Sequence, residues 1–380
     1  MGLNDDLADG VVDFASDLLR TEAFVARIAS GHLKLLSDRL RSLIEDGNLT
    51  TRARVRTERF IARAGRTIDS VYRNIEKDVT TQLVGISRLS AERATSLIND
   101  VFEFDLAEVV PDPATLRGIS QGRTLVLGLP AKEAWAVRAS STKTRFASEI
   151  RLGVLAGNTN DQLVQRIRGE KTGARRVVSI RGKNRSVPVF ENGILQTSDR
   201  EVRALVRTSV QSVSNNAMFD VYRDNADVIE GVEAIVTLDG RTSDICIARS
   251  GGAWNLVTGE PLPSSSVDSS FPGPPPWHFQ CRTFLGPVTY SWEALGSRAK
   301  GKVREFAPEK IASMDGELAG VQNYEAWLKT KSVSFQKKKL GPTKHRLWKS
   351  GKLTLPQLID ESGRPLSVEE LVEKTGGISS

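Results

Sequence analysis

The chain has 380 residues, a formal net charge of +7 and a pI near 9.4. Its 39% hydrophobic and 26% charged content suits a globular protein of two or three domains, and two cysteines with three histidines exclude a disulfide scaffold and any metal site rich in those residues. No run of about 18 apolar residues is present to span a bilayer, and the acidic start Asn4-Asp5-Asp6 is unlike the basic front of a signal peptide. The positive charge modestly favours polyanions, above all nucleic acid, but 6% aromatic content gives little material for base stacking.

From the front, apolar residues recur at three- and four-residue steps through Val11, Phe14, Leu18, Val25, Ile28, Leu36, Leu40 and Leu43. This spacing predicts a long helix, stopped at Asp46-Gly47-Asn48. Thr50 or Thr51 can cap a second helix whose stripe runs Val55, Ile61, Ile68, Val71, Ile75, Val79, Leu83, Ile86, so the two make an antiparallel hairpin. Arg52, Arg54, Arg56, Arg59, Arg63 and Arg66 cluster early in that second helix, as a solvated face or as a contact with DNA or an acidic partner. A third helix is predicted from Ala91 to Phe104, before Pro111 and Pro113 break the pattern. Gln121 to Pro130 has no clear period. Ala131 to about Leu155 is helical again, and a short capped helix follows through Ile167.

The character changes near Gly169. Val177–Arg181 and Val187–Phe190 predict two strands around Gly182-Lys183-Asn184, in a stretch where basic residues outnumber acidic ones eight to one between Arg166 and Arg185. A helix from Ser198 to Asn225 and a strand from Gly231 to Leu238 come next. Ser264–Pro276 is a Ser- and Pro-rich loop. After Val288 the chain is read as mostly irregular, and Lys329–Lys352 holds nine basic residues and no acidic one. Ser367 and Glu370 form a capping box before a last short helix.

The informative stretch begins where the strand ends. Asp239-Gly240-Arg241-Thr242 supplies an Asp-Gly turn, two residues suited to accept backbone amides and a planar guanidinium fork. Cys246 follows, and about 30 residues later come Pro275-Pro276-Trp277-His278-Phe279-Gln280-Cys281-Arg282. With so few Cys and His in the chain, Cys246, His278 and Cys281 are expected to meet at one place.

This order of motifs resembles the bacteriophage Mu F-like head morphogenesis family. The pattern is a strand, Asp-x-Arg-Thr, a Cys- or Ser-x-x-Cys pair, a loop with Gly251-Gly252, then Pro-Pro-x-His-x-x-Cys-Arg. Leu205–Thr208 and Asn215-Asn216 before it, and Tyr324–Leu328, Leu340-Gly341-Pro342 and Gly363–Leu366 after it, are similar to the family too. The resemblance covers about Asp161 to Leu371, and the helical front matches in style only. It implies a minor structural protein of a tailed-phage head, inside the capsid near the portal and assembled in the bacterial host cytoplasm. Its roles would be in head morphogenesis and in DNA packaging or ejection. The implied partners are the portal protein, the major capsid protein and packaged double-stranded DNA, with no membrane. In that setting Lys337, Lys338, Lys339, Lys344, Arg346 and Lys349 are expected to contact phosphates without reading sequence.

The family pattern allows four zinc ligands, but Ser243 stands in the first cysteine position, leaving Cys246, His278 and Cys281 with Asp239 or Asp244 as a poor fourth. Three readings stay open: zinc, a Cys246–Cys281 disulfide formed in a released virion, or two reduced cysteines and a packed histidine. No other cofactor is expected, and no catalytic residue. Gly296–Val303 imitates a phosphate-binding loop but ends in Val303, with no hydroxyl for Mg²⁺. The rival functions are a free DNA-binding protein and an effector such as an ADP-ribosyltransferase, the latter opposed by the roughly 90 residues left after Val288.

The expected fold is α+β. A helical hairpin or bundle (1–155) would dock on the portal, and the motif domain, a small mixed α/β unit closed by Asp239, Arg241, Thr242, Cys246, His278, Cys281 and Arg282, spans 156–290. A basic, loosely structured tail (291–380) completes it.

Overall fold

The structure is a computed structural model that describes residues 3–47, 54–102, 113–180, 183–290, 294, 311–313, 316–318, 323–360 and 362–375. It is an α+β protein. Helices α1 (Leu3–Asp46) and α2 (Arg54–Phe102) lead, then α3 (Pro113–Ser120), a tight hairpin β1 (Leu125–Val126)–β2 (Leu129–Pro130), α4 (Ala131–Leu155) and α5 (Asn160–Arg168). A ribbon β3 (Gly169–Ile180)–β4 (Lys183–Asn192) leads into α6 (Ile194–Asp224). The central sheet has the order β6 (Ala253–Asn255), β5 (Ile229–Ile235), β7 (Phe284–Thr289), all antiparallel, with α7 (Asp244–Ala248) between β5 and β6. A short pair β8 (Ile311–Ser313)–β9 (Gly316–Leu318) precedes α8 (Tyr324–Lys329), α9 (Val333–Leu340), α10 (Pro342–Lys349) and α11 (Val368–Lys374). Among the described residues no helix is long and apolar enough to cross a membrane.

Two units emerge. One joins Met1–Arg20, Gly85–Leu116 and Val210–Ser380; the other joins Thr21–Val84 and Arg117–Ser209. Helices α1, α2 and α6 contribute to both, so this division cuts across the three segments read from sequence.

In the second unit the predicted stripes meet. Leu33, Leu36, Leu40 and Ile44 of α1 and Ile68, Val71, Ile75 and Val79 of α2 are all buried. His32 lies 2.8 Å from Asp78, as antiparallel helices require. A chain of hydroxyls ties three helices together: Tyr72 to Thr142 at 2.8 Å and Thr142 to Ser198 at 2.9 Å. Arg56, Arg59, Arg63 and Arg66 are exposed, the solvated face; Arg52 lies outside the described residues. The predicted third helix, Ala91–Phe104, is not separate. No proline or C-capping glycine interrupts the chain after Ile86, so α2 runs on through it to Phe102. The ribbon strands are longer than predicted and close at Ile180↔Lys183, while residues 181–182 at the turn lie outside the described residues.

In the first unit the 323–375 stretch differs from the loosely structured tail read in the sequence. Tyr324, Trp327, Leu328, Leu347, Trp348, Leu358 and Leu371 form one buried cluster with Leu238 and Ile247. Aromatic and leucine spacing hidden among lysines gives these short helices a core: Trp327 stacks edge-on against Tyr324 (4.9 Å) and Phe335 (5.8 Å). Capping boxes at Thr354/Gln357 and Ser367/Glu370 fix the turns between them. The Gly296–Val303 segment lies outside the described residues.

Candidate functional site: a clasp centred on Asp239

Strand β5 ends at Ile235, and the chain turns at Asp239. The Asp239 carboxylate accepts the Arg241 backbone N–H at 2.8 Å and the Thr242 hydroxyl at 3.2 Å, an Asx turn that reverses the chain into α7. Thr242 also donates to the Thr237 carbonyl at 2.5 Å. Forty-three residues on, the guanidinium of Arg282 reaches both Asp239 oxygens at 2.7 Å in a bidentate pair. Sequence reading gave the guanidinium fork to Arg241, but Arg241 is exposed and stands 3.5 Å from the carboxylate. Arg282 is the fork because it arrives on the chain leading into β7, beside the turn. Burial on its own would raise the Asp239 carboxyl; the Arg282 donors and the Arg241 amide outweigh it and hold Asp239 well below the usual carboxylate range.

Around this turn the first unit is pinned shut. Tyr324 donates its hydroxyl to the Asp239 carbonyl at 2.8 Å, and the Ser250 hydroxyl accepts the Tyr324 N–H at 2.8 Å. Gln211 and Asn215 of α6 both donate to the Thr283 carbonyl, at 2.9 and 3.2 Å. Gly251 takes φ +74°, and a Cβ there would sit 2.1 Å from Ser266 Oγ, so the following loop can close only over glycine. The loop then folds back: the Trp254 indole donates to the Ser269 carbonyl at 2.7 Å, and Phe271 lies between Trp254 and Phe219.

Cys246, His278 and Cys281 do meet. Ser243 caps α7 by accepting the Cys246 N–H at 3.3 Å, which fixes Cys246 inside. Cys246 Sγ is 3.0 Å from His278 Nε2 and 3.6 Å from Cys281 Sγ, and all three donor atoms lie within 4.8 Å of one another. The Thr283 hydroxyl donates to Cys246 Sγ at 3.2 Å. His278 Nδ1 is tied to the Phe279 carbonyl at 2.8 Å, which leaves Nε2 for the sulfurs. Gln280, between His278 and Cys281, adopts φ +59°, a strained conformation that turns both side chains toward one point. Contact with Cys281 and burial push the Cys246 thiol up. Burial opposes ionisation of Cys281, but its contacts with Cys246 and His278 draw it down. The trio therefore favours a thiolate on Cys281, the form that binds metal. Neither carboxylate considered as a fourth ligand is free: Asp239 holds Arg282, and Asp244 is paired with Lys344 at 2.8 Å.

A recess beside the trio, lined by residues including Ser243, His278 and Arg282, has room for about one water, ≈ 20 Å³. A wider concavity, ≈ 690 Å³, lies in the second unit. Its arginines are answered there: Arg145 pairs with Glu201 at 2.6 Å and Arg166 with Glu149 at 2.8 Å. We take the trio as the candidate site, because among the described residues it is where metal-ligating side chains converge.

Of the six residues read as phosphate contacts, Lys337, Lys338, Arg346 and Lys349 are exposed. Lys339 and Lys344 are turned inward instead. Lys339 Nζ donates to the Thr242 carbonyl and Lys344 pairs with Asp244, so both fasten the C-terminal helices to the clasp. Sequence reasoning missed this use, and it missed the bonds of Thr283, Tyr324 and Gln211 to the clasp. The position of Thr283 next to Cys281-Arg282, and the place of Tyr324 in the Tyr324–Leu328 motif, were the signals available.

The chain matches no family model, no curated protein and no solved structure.

Proposed function

We propose that this chain is a minor structural protein of a tailed-phage head, docked to the portal ring, and that its conspicuous polar residues are architecture. One observation carries the proposal. The buried polar side chains of the Asp239 turn, Asp239, Thr242 and Arg282, bond to one another and to the turn's own backbone, and the adjoining recess admits about one water rather than a substrate. An active site keeps donors pointed at an open cleft; this arrangement turns them on its own backbone. The order of motifs, Asp-x-Arg-Thr through His-x-x-Cys-Arg, supports the head-protein reading, and the exposed Lys337, Lys338, Arg346 and Lys349 supply cations for phosphate contact. Purified full-length chain should co-elute with the portal ring encoded in the same genome; separate elution at micromolar concentrations would sink the docking assignment.

The clasp also has the donor set for one zinc ion. Cys246 Sγ, Cys281 Sγ and His278 Nε2 supply three ligands, and the 3.6 Å sulfur separation is near the edge of a zinc-thiolate tetrahedron, roughly 3.7 Å from Zn–S bonds of about 2.3 Å. The tie from His278 Nδ1 to Phe279 is the outer bond that orients a ligating histidine. A bound ion would cross-link α7 to the His278–Cys281 turn. Elemental analysis of chain purified without chelator should give close to one zinc per molecule, lost in Cys281→Ser; an ion content near zero in both would leave the pair as packed thiols.

A further inference from the structure

The segment without a clear period, Gln121–Pro130, forms a hairpin closed by two residues. Val126 pairs with Leu129 and Leu125 with Pro130, so Leu127 and Gly128 make the whole reversal. Their φ values are +53° and +80°. Positive φ at both central residues is the type I′ turn, whose first position favours Asn, Asp or Gly. A leucine there holds its Cβ in the left-handed region, against its preference. The same tip is apolar and open to water: Leu125, Leu127 and Leu129 are 56%, 37% and 49% exposed, and only Val126 is buried beneath them.

The fold needs neither feature. An Asn-Gly turn with polar flanks would close the same hairpin with less strain and less exposed hydrocarbon. Strain and exposed leucine at one spot are the mark of a surface held for a partner. The tip is also pre-positioned. Arg123 N–H donates to the Gly118 carbonyl at 2.8 Å, Ala131 N–H to Thr124 at 2.9 Å and Lys132 N–H to Gly122 at 3.1 Å, clamping the hairpin base between α3 and α4. A rigid plug loses little freedom on docking.

Charge narrows the occupant. Arg117, at the end of α3, and Arg123, at the entry to the hairpin, are exposed and have no ionic partner among the described residues. A receiving surface would be an apolar pocket with carboxylates at its rim. We propose that Leu125, Leu127 and Leu129 form a docking plug that enters an apolar, acid-rimmed pocket on another protein. This rests on the head-protein reading to the extent that the portal ring is taken as that protein.

The test uses the full chain in three forms, wild type, Leu127→Asn and Arg117→Ala/Arg123→Ala, against immobilised portal ring. Leu127→Asn should melt several degrees higher, because the turn relaxes, and yet bind at least tenfold more weakly. The arginine variant should associate more slowly and with less dependence on salt. Wild-type binding that Leu127→Asn leaves unchanged, or a lower melting temperature in Leu127→Asn, overturns the plug alone. No binding by wild type overturns the portal reading and the plug's assigned partner together. Self-association, or retention on phosphatidylglycerol vesicles, that Leu127→Asn abolishes would move the tip to a different occupant and equally overturn the proposal.

Discussion

Arg282 is the residue on which the clasp turns. Its side chain joins two segments 43 residues apart and neutralises a carboxylate that is almost fully withdrawn from water. Replacing it with alanine leaves Asp239 buried with the Arg241 amide, the Thr242 hydroxyl and the exposed Arg241 guanidinium at 3.5 Å, a loss of about 3 kcal/mol for a broken buried pair. The pH dependence has a definite sign. A carboxyl held below its ordinary value of 3.8 contributes stability that is complete above that pH and is lost as pH falls toward the folded value. Wild-type protein should therefore lose melting temperature steeply below about pH 4, and Arg282→Ala, already destabilised at pH 7, should show a flatter acid limb. Thermal melts from pH 7 to pH 2 with parallel limbs would show that the pair is not coupled to folding. Glu233 works in the opposite sense: on the central strand β5 its carboxyl is pushed up to about 7 by burial, so it weakens the fold as pH rises through that range.

At the scale of elements, α1 and the first two thirds of α2 were legible because each holds one apolar stripe over about 30 residues, Val11–Leu43 and Val55–Ile86, a period that no loop maintains; the continuity of α2 through Ala91–Phe102 was not. The clasp was legible in membership, because scarce Cys and His fell in one short stretch, but not in roles. Which of two arginines becomes the fork depends on where β7 enters, and that is a tertiary fact. The C-terminal helices were illegible for a different reason. Nine basic residues in Lys329–Lys352 mask the spacing of Trp327, Leu340, Leu347 and Trp348, and the burial of those four depends on Leu238 and Ile247, far away in sequence. Lys339 and Lys344 look like the other lysines in sequence; only their neighbours, the Thr242 carbonyl and Asp244, set them apart. The β1–β2 hairpin escaped because its turn residue, Leu127, breaks the Asn-Gly rule by which such turns are recognised.

For the whole molecule, the two units differ in what they present. The second presents long paired helices and the leucine-tipped hairpin; the first closes the Asp239 clasp under a basic helical cap. A net charge of +7 suits the proposed place beside packaged DNA, and contact through the exposed Lys337, Lys338, Arg346 and Lys349 would be salt-sensitive. Residence in the head is the claim on which these assignments converge. Mass spectrometry of gradient-purified particles, released by induction of cells that carry the gene, tests it most directly. The account predicts the intact polypeptide in filled heads, far below the abundance of the major shell protein. A chain plentiful in the infected cell yet missing from both filled and empty heads would contradict it.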